Sequence, residues 1–174
     1  MEWYRIVFEV IDMRSFSNLW YWIALAVLWS TTSHWVLGVP FDVIQRARRT
    51  GGQASADVEA LVAINTRRIL AISRAAAAPI FAITTFVLTS MAILAFWYWV
   101  EFAQAMLFLM GPMVIVGWLS LLTAVKIEAG DNEGPALYRR LMLHRRLVQV
   151  VGMIAIFVTS TFGMYQNLNI SILN

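Results

Sequence analysis

Two side chains in this sequence have the type and placement for cofactor chemistry: the imidazoles of His34 and His144, the only histidines in 174 residues. They stand on separate apolar segments, towards the same end of each. Two imidazoles at matched depth on different helices are the minimal ligand set for a haem b in a helical bundle. The neighbours of His34 suggest something else. Ser30, Thr31 and Gly38 share its helical face by i+3 and i+4 spacing. An imidazole buried near a membrane loses free energy unless its nitrogens are hydrogen-bonded, and hydroxyls or a facing helix supply those bonds. We therefore read His34 as structural and the chain as binding no cofactor, with haem b as the alternative. On this reading His34 is more sensitive to truncation than His144, which lies closer to water beside Arg140, Arg145 and Arg146.

Other chemistries are narrowed by what is missing. There is no cysteine, hence no disulfide, thiol catalysis or cysteine-ligated zinc or iron–sulfur centre. The one lysine, Lys126, lacks the upstream glycines of a phosphate-binding loop. No aspartate or glutamate lies inside an apolar segment, whereas ion-coupled transporters usually keep such a carboxylate or a broken helix at mid-membrane. Gly111, Pro112 and Gly117 permit a kink in the third segment, so a transporter or channel component remains an alternative to a non-enzymatic role.

The elements that must position these residues follow from composition. Hydrophobic residues make up 60% and charged residues 13% of the chain, against about 25% charged in soluble domains. Mean hydropathy is +0.70. Apolar segments run over Leu19–Leu37, Ile80–Val100, Met106–Val125 and Leu147–Tyr165, each long enough as a helix for a hydrocarbon core of about 30 Å. Lipid offers no partners to backbone polar groups, so the expected fold is an all-α membrane domain over 1–174 with four transmembrane helices. Residues 1–14 lack a basic signal-peptide region, so the first segment is expected to be a retained helix. Residues 1–15 alternate apolar and charged side chains as a short interfacial helix would.

Basic residues orient this arrangement. Arg46, Arg48, Arg49, Arg67, Arg68 and Arg74 fall between the first two segments, and Lys126, Arg139, Arg140, Arg145 and Arg146 between the last two. The positive-inside rule then puts both termini in the periplasm and residues 41–78 and 126–146 in the cytoplasm of a bacterial inner membrane. Trp20, Trp22, Trp97 and Trp99 suit the outer interface and Trp35 the inner one.

Both cytoplasmic loops have helical character. After the break TGGQAS, Ser55 suits an N-cap, with Asp57 and Glu59 in the first turn. Val58, Leu61, Val62, Asn65, Ile69, Ile72 and Ala76 form one face, opposite Arg67 and Arg74, and Pro79 should kink the helix on entry. Pro135 suits the first turn of a helix running into the fourth span.

Stripes of small residues suggest how the spans pack. Ser30, Thr31, His34 and Gly38 form one; Ala78, Ala82, Thr85, Thr89 and Ala92 a second; Gly152, Ala155, Thr159 and Gly163 a third. Small residues let helices approach closely. Arg139, Arg140, Arg145 and Arg146 suit anionic lipid head groups, and a basic patch beside a membrane needs no nucleic acid to explain it.

The stretch MRSFSNLWYWIALAVLWSTTSHWVLGVPFDVIQRARR resembles a group of small alphaproteobacterial inner-membrane proteins, some of which are labelled components of the SufBCD complex, an iron–sulfur assembly system. The resemblance is strongest over Ser30–Pro40 and implies an inner-membrane location. The expected role is a non-enzymatic accessory subunit or scaffold, a homo-oligomer or part of a larger membrane complex, that docks other proteins through its helices.

Overall fold

The computed structural model describes residue 16 and residues 19–172, so the amphipathic segment 1–15 lies outside the described residues. Five helices and one small hairpin follow in order: α1 Leu19–His34, β1 Trp35–Val36, β2 Val39–Pro40, α2 Phe41–Thr50, α3 Gln53–Phe96, α4 Glu101–Glu128 and α5 Gly134–Ile172. α3, α4 and α5 are long and apolar enough to cross a membrane. The architecture is that of an α-helical membrane protein. α1 has 16 residues, or about 24 Å, and is shorter than the apolar segment that contains it.

The sequence of that segment explains why the helix stops. Leu37 and Gly38 both adopt positive φ, at 51° and 77°, and they turn the chain so that Trp35 pairs with Pro40 and Val36 with Val39. Two successive residues at positive φ make the tight hairpin turn that matches strand twist. Leucine at such a position costs on the order of 1–3 kcal/mol. Its side chain is buried in the core below, which offsets that strain. Gly38 is therefore not on the helical face of Ser30, Thr31 and His34. A Cβ on it would come within 2.9 Å of Asn65 Nδ2 in α3.

α2 buries Ile44 and Ala47, carries Asp42 in its first turn and Arg48 and Arg49 in its last, and ends at Gly51 with φ 65°. This charge order matches the helix dipole. α3 starts at Gln53, two residues before Ser55, and its N-cap is Gly52 with no side-chain bond. Ser55 instead bonds Glu59 and the Tyr138 hydroxyl. The buried face of α3 is Val58, Val62, Thr66 and Leu70, whereas Leu61 and Ile72 are exposed. The face is thus rotated from the expected one, because residues of α2 and α5 pack in one cluster with Val58 and Val62.

Pro79 lies inside α3, and the helix breaks at Ala76, whose φ is −130° and ψ 24°. Proline cannot donate to the carbonyl four residues back and its ring crowds that turn, which places the distortion in the turn before it. The chain reverses at Trp97–Val100, with Trp99 at φ 55°, and Glu101–Gln104, which precede the apolar segment Met106–Val125, form the first turn of α4.

Two cores result. Val36, Leu37 and Val39 of the hairpin, Ile44 and Ala47 of α2, Val58 and Val62 of α3, Ile127 of α4, and Leu137, Tyr138 and Leu141 of α5 pack as one cluster. We call this layer the headpiece. The second cluster joins Leu25 and Trp29 of α1 to Val116 of α4 and Val148 and Ala155 of α5. Close approach there depends on glycine: a Cβ on Gly152 would lie 2.8 Å from Trp29 Cε3, and one on Gly163 would lie 3.2 Å from Phe16 Cδ1. At the end away from the headpiece Phe16 meets Tyr21, Phe108 and Phe162 edge to face.

Gly152→Leu should lower stability by about 1–3 kcal/mol, the usual cost of overpacking, measured as a fall in melting temperature in detergent. Gly117→Leu, where among the described residues no atom beyond its own turn of helix lies within 4 Å of an added Cβ, should melt near the parent temperature. Equal melting of the two variants would contradict the α1–α5 contact.

Candidate functional site at the basic end

The headpiece end gathers both histidines and most of the basic residues, and packing gives them different surroundings. His144, on the buried face of α5 with Leu137, Leu141 and Val148, is 3% exposed. Its Nδ1 lies 3.1 Å from Thr123 Oγ1. Thr123 donates its own hydroxyl hydrogen to the Leu119 carbonyl at 2.8 Å. The imidazole must then be the donor in the Nδ1 contact, which assigns the proton to Nδ1.

His34 ends α1 with half its side chain exposed, and its Nε2 lies 3.7 Å from Asp42 Oδ1 at the start of α2. An ion pair this exposed contributes little. The burial expected from depth is thus reversed: His144 is enclosed by α4 and α5, whereas α1 turns its Leu25 and Trp29 face inward and leaves Ser30, Thr31 and His34 outward. Of the hydroxyls from Ser30 to Ser33, that of Thr32 reaches a neighbouring helix, 3.8 Å from Met113 Sδ of α4.

Ser30, Thr31, Ser33, His34, Trp35 and Arg145 line an open pocket of about 320 Å³. His144 is not in its lining, so this pocket does not unite the two imidazoles. Among the described residues no group of three or more His, Asp or Glu side chains is placed to hold a metal ion.

The four arginines singled out in α5 divide into two pairs. Arg140 is paired with Asp131, its Nε 2.8 Å from Oδ2. Arg145 Nε donates to the Ser33 carbonyl at 3.3 Å, and its guanidinium carbon lies 3.6 Å from the centre of the Phe41 ring. It therefore satisfies a free carbonyl in the last turn of α1, complements the dipole there, and adds a cation–π contact to α2. Arg139 and Arg146 are exposed, and no carboxylate lies within ion-pair distance of either among the described residues. They flank an open groove of about 800 Å³ between α2 and α5, together with Arg48.

The stripes of the second and fourth spans also differ. Gly152, Ala155, Thr159 and Gly163 are all buried, with Thr159 donating to the Ala155 carbonyl at 2.7 Å. Ala78, Ala82, Thr85 and Thr89 are exposed. α3 meets α4 instead through the row that includes Ala95, whose carbonyl accepts from Gln104 Nε2 at 2.8 Å. Gln104 is fully buried, and its Oε1 accepts from Gln166 Nε2 at 2.7 Å. This amide chain ties α3, α4 and α5 together at the end opposite the headpiece. Sequence reasoning missed it; its only signal is a glutamine between two alanines at the start of an apolar helix.

Comparison with family models, with curated proteins and with solved structures returned no match.

His144→Ala should cost about 2–4 kcal/mol, as expected for a truncation that leaves a cavity, and His34→Ala less than about 1 kcal/mol. Melting temperatures in detergent check the order, and a larger loss for His34→Ala would contradict the placement. Arg145→Gln should cost about 1–2 kcal/mol through its contacts to α1 and α2. Arg146→Gln should leave melting of the lipid-free protein unchanged.

Proposed function

We propose that this protein is a non-enzymatic accessory subunit or scaffold of a bacterial inner membrane, crossing it four times, with both termini periplasmic and the headpiece cytoplasmic. It assembles with further copies or with a larger membrane complex through the outer face of α3. The observation that carries this reading is a groove of about 630 Å³ between α3 and α4, whose lining includes Thr89, Ala92 and Gly111. Among the described residues, no atom beyond its chain neighbours and its own turn of helix backbone lies within 4 Å of a Cβ added at Gly111. Small residues at such a surface admit the backbone of another helix.

The topology is supported by charge. The headpiece and its connections carry Arg46, Arg48, Arg49, Arg67, Arg68, Lys126, Arg139 and Arg140, while Trp97–Val100 at the other end holds no basic residue. On this topology the segment Leu19–Leu37, which contains α1, forms the first span. The exposed surface of the headpiece is then free to dock a soluble partner.

Two experiments test the proposal. Thr89→Leu with Gly111→Leu should reduce the oligomeric mass found by light scattering in mild detergent, without lowering melting temperature. A parent protein that is monomeric and copurifies with nothing from native membranes contradicts the scaffold role. Reporter fusions at Gly51 and Asn132 should read as cytoplasmic and one at Asn174 as periplasmic; a cytoplasmic reading at Asn174 contradicts the topology.

A further inference from the structure

The groove between α2 and α5 combines charge and apolar surface in a way that neither core explains. Its α5 wall presents Arg139, Met142, Leu143 and Arg146 at i, i+3, i+4 and i+7, so they occupy one helical face. Tyr138 lies behind them, and Arg48 projects from the last turn of α2. Arg48, Arg139 and Arg146 are exposed, and among the described residues none has a carboxylate within 4 Å. Three unneutralised guanidiniums around a partly apolar floor call for an anion that also carries hydrocarbon.

The face continues in one direction only. Beyond Arg146 it runs through Val150, Met153 and Phe157, which are 45%, 63% and 71% exposed. This is the apolar part of a helix long enough to cross a membrane. A ligand whose charged end sits among the arginines would therefore lay its tail along α5 into the hydrocarbon layer. A free phosphate would use the guanidiniums and leave the Leu143 to Phe157 stripe unused. An acidic soluble helix would cover the groove but could not follow the stripe into lipid.

We propose that this groove binds an anionic phospholipid, with Arg48, Arg139 and Arg146 around its phosphate and Met142 and Leu143 beneath its glycerol and first acyl carbons. Guanidinium suits this task because its planar fork donates two parallel hydrogen bonds to phosphate oxygens. The bound lipid would join α2 to α5 across the membrane surface. The site needs only the membrane location of α5 and is independent of whether the protein assembles with others.

The full-length protein in a neutral detergent is the material for the test, with lipid retention followed by native mass spectrometry and by melting temperature. Phosphatidylglycerol should be retained and should raise the melting temperature saturably. Phosphatidylcholine should do so weakly, and glycerol 3-phosphate at equal concentration should not. Arg48→Gln, Arg139→Gln and Arg146→Gln should each weaken phosphatidylglycerol binding about fivefold, and Leu143→Asn should weaken it as well. Arg67→Gln, an exposed arginine of α3 outside the groove, should leave it unchanged. The proposal is overturned if phosphatidylcholine binds as well as phosphatidylglycerol, if glycerol 3-phosphate replaces the lipid, or if Arg67→Gln weakens binding as much as Arg146→Gln. The lipid comparison on the parent protein decides the matter even where a variant fails to fold.

Discussion

A hydrocarbon layer of about 30 Å cannot contain a helix of about 66 Å, and the remaining structure follows from that mismatch. α3 has 44 residues and α5 has 39. Lipid compels the apolar part of each to stay helical, because an interrupted backbone would expose unpaired polar groups. The surplus turns of both helices lie at the same end, since α4 returns the chain from one to the other. Those surplus turns carry apolar rows of their own, Val58 and Val62 on α3 and Leu137 and Leu141 on α5. Rows of that kind must be buried, and α2 with the hairpin is the cover. The headpiece is thus a packed layer built on the surplus turns of α5 and on those of α3 that precede its kink at Ala76.

α1 is held to this frame by contacts of a different kind. Its Trp29 ring sits on Gly152, where a side chain would collide with it, and Leu25, Val116, Val148 and Ala155 complete the cluster around the contact. At its C-terminal end Arg145 takes the Ser33 carbonyl and stacks on Phe41. One side chain of α5 therefore fixes the end of α1 and the start of α2 together. The turn at Leu37 and Gly38 completes the join, and its strain is tolerated because Val36, Leu37 and Val39 are all buried beneath it.

Much of this frame was legible in the sequence. Hydropathy marked the long apolar helices, the glycine pair at 51 and 52 marked the break before α3, and Pro79 marked its distortion. What was illegible depended on choice of partner. The stripes that contain Thr85 and Thr89 and that contain Gly152 and Thr159 both run at i+3 and i+4 with small side chains, yet among the described residues the second is buried and Thr85 and Thr89 are exposed. Small residues permit close approach without specifying what approaches. Arg140 and Arg146 look equivalent along the chain, and differ because Asp131 lies in the connection folded back on one of them. Leu37 gave no turn signal, since leucine rarely adopts positive φ and only the core beneath it favours that geometry. His144 is buried and His34 exposed, against expectation, because distance along a span says how deep a side chain lies, and burial depends on which helices surround it.

The central claim is that α3, kinked at Ala76, and α5 leave the membrane as helices carrying a packed headpiece, rather than as spans joined by solvated loops. Amide hydrogen exchange of the protein in lipid nanodiscs tests this most directly, because a helix in a packed layer exchanges only when that layer opens. Amides over 57–70 and 138–146 should exchange as slowly as those over 114–125 in the middle of α4. Exchange of the first two stretches within seconds, at the rate of an open loop, would contradict the account.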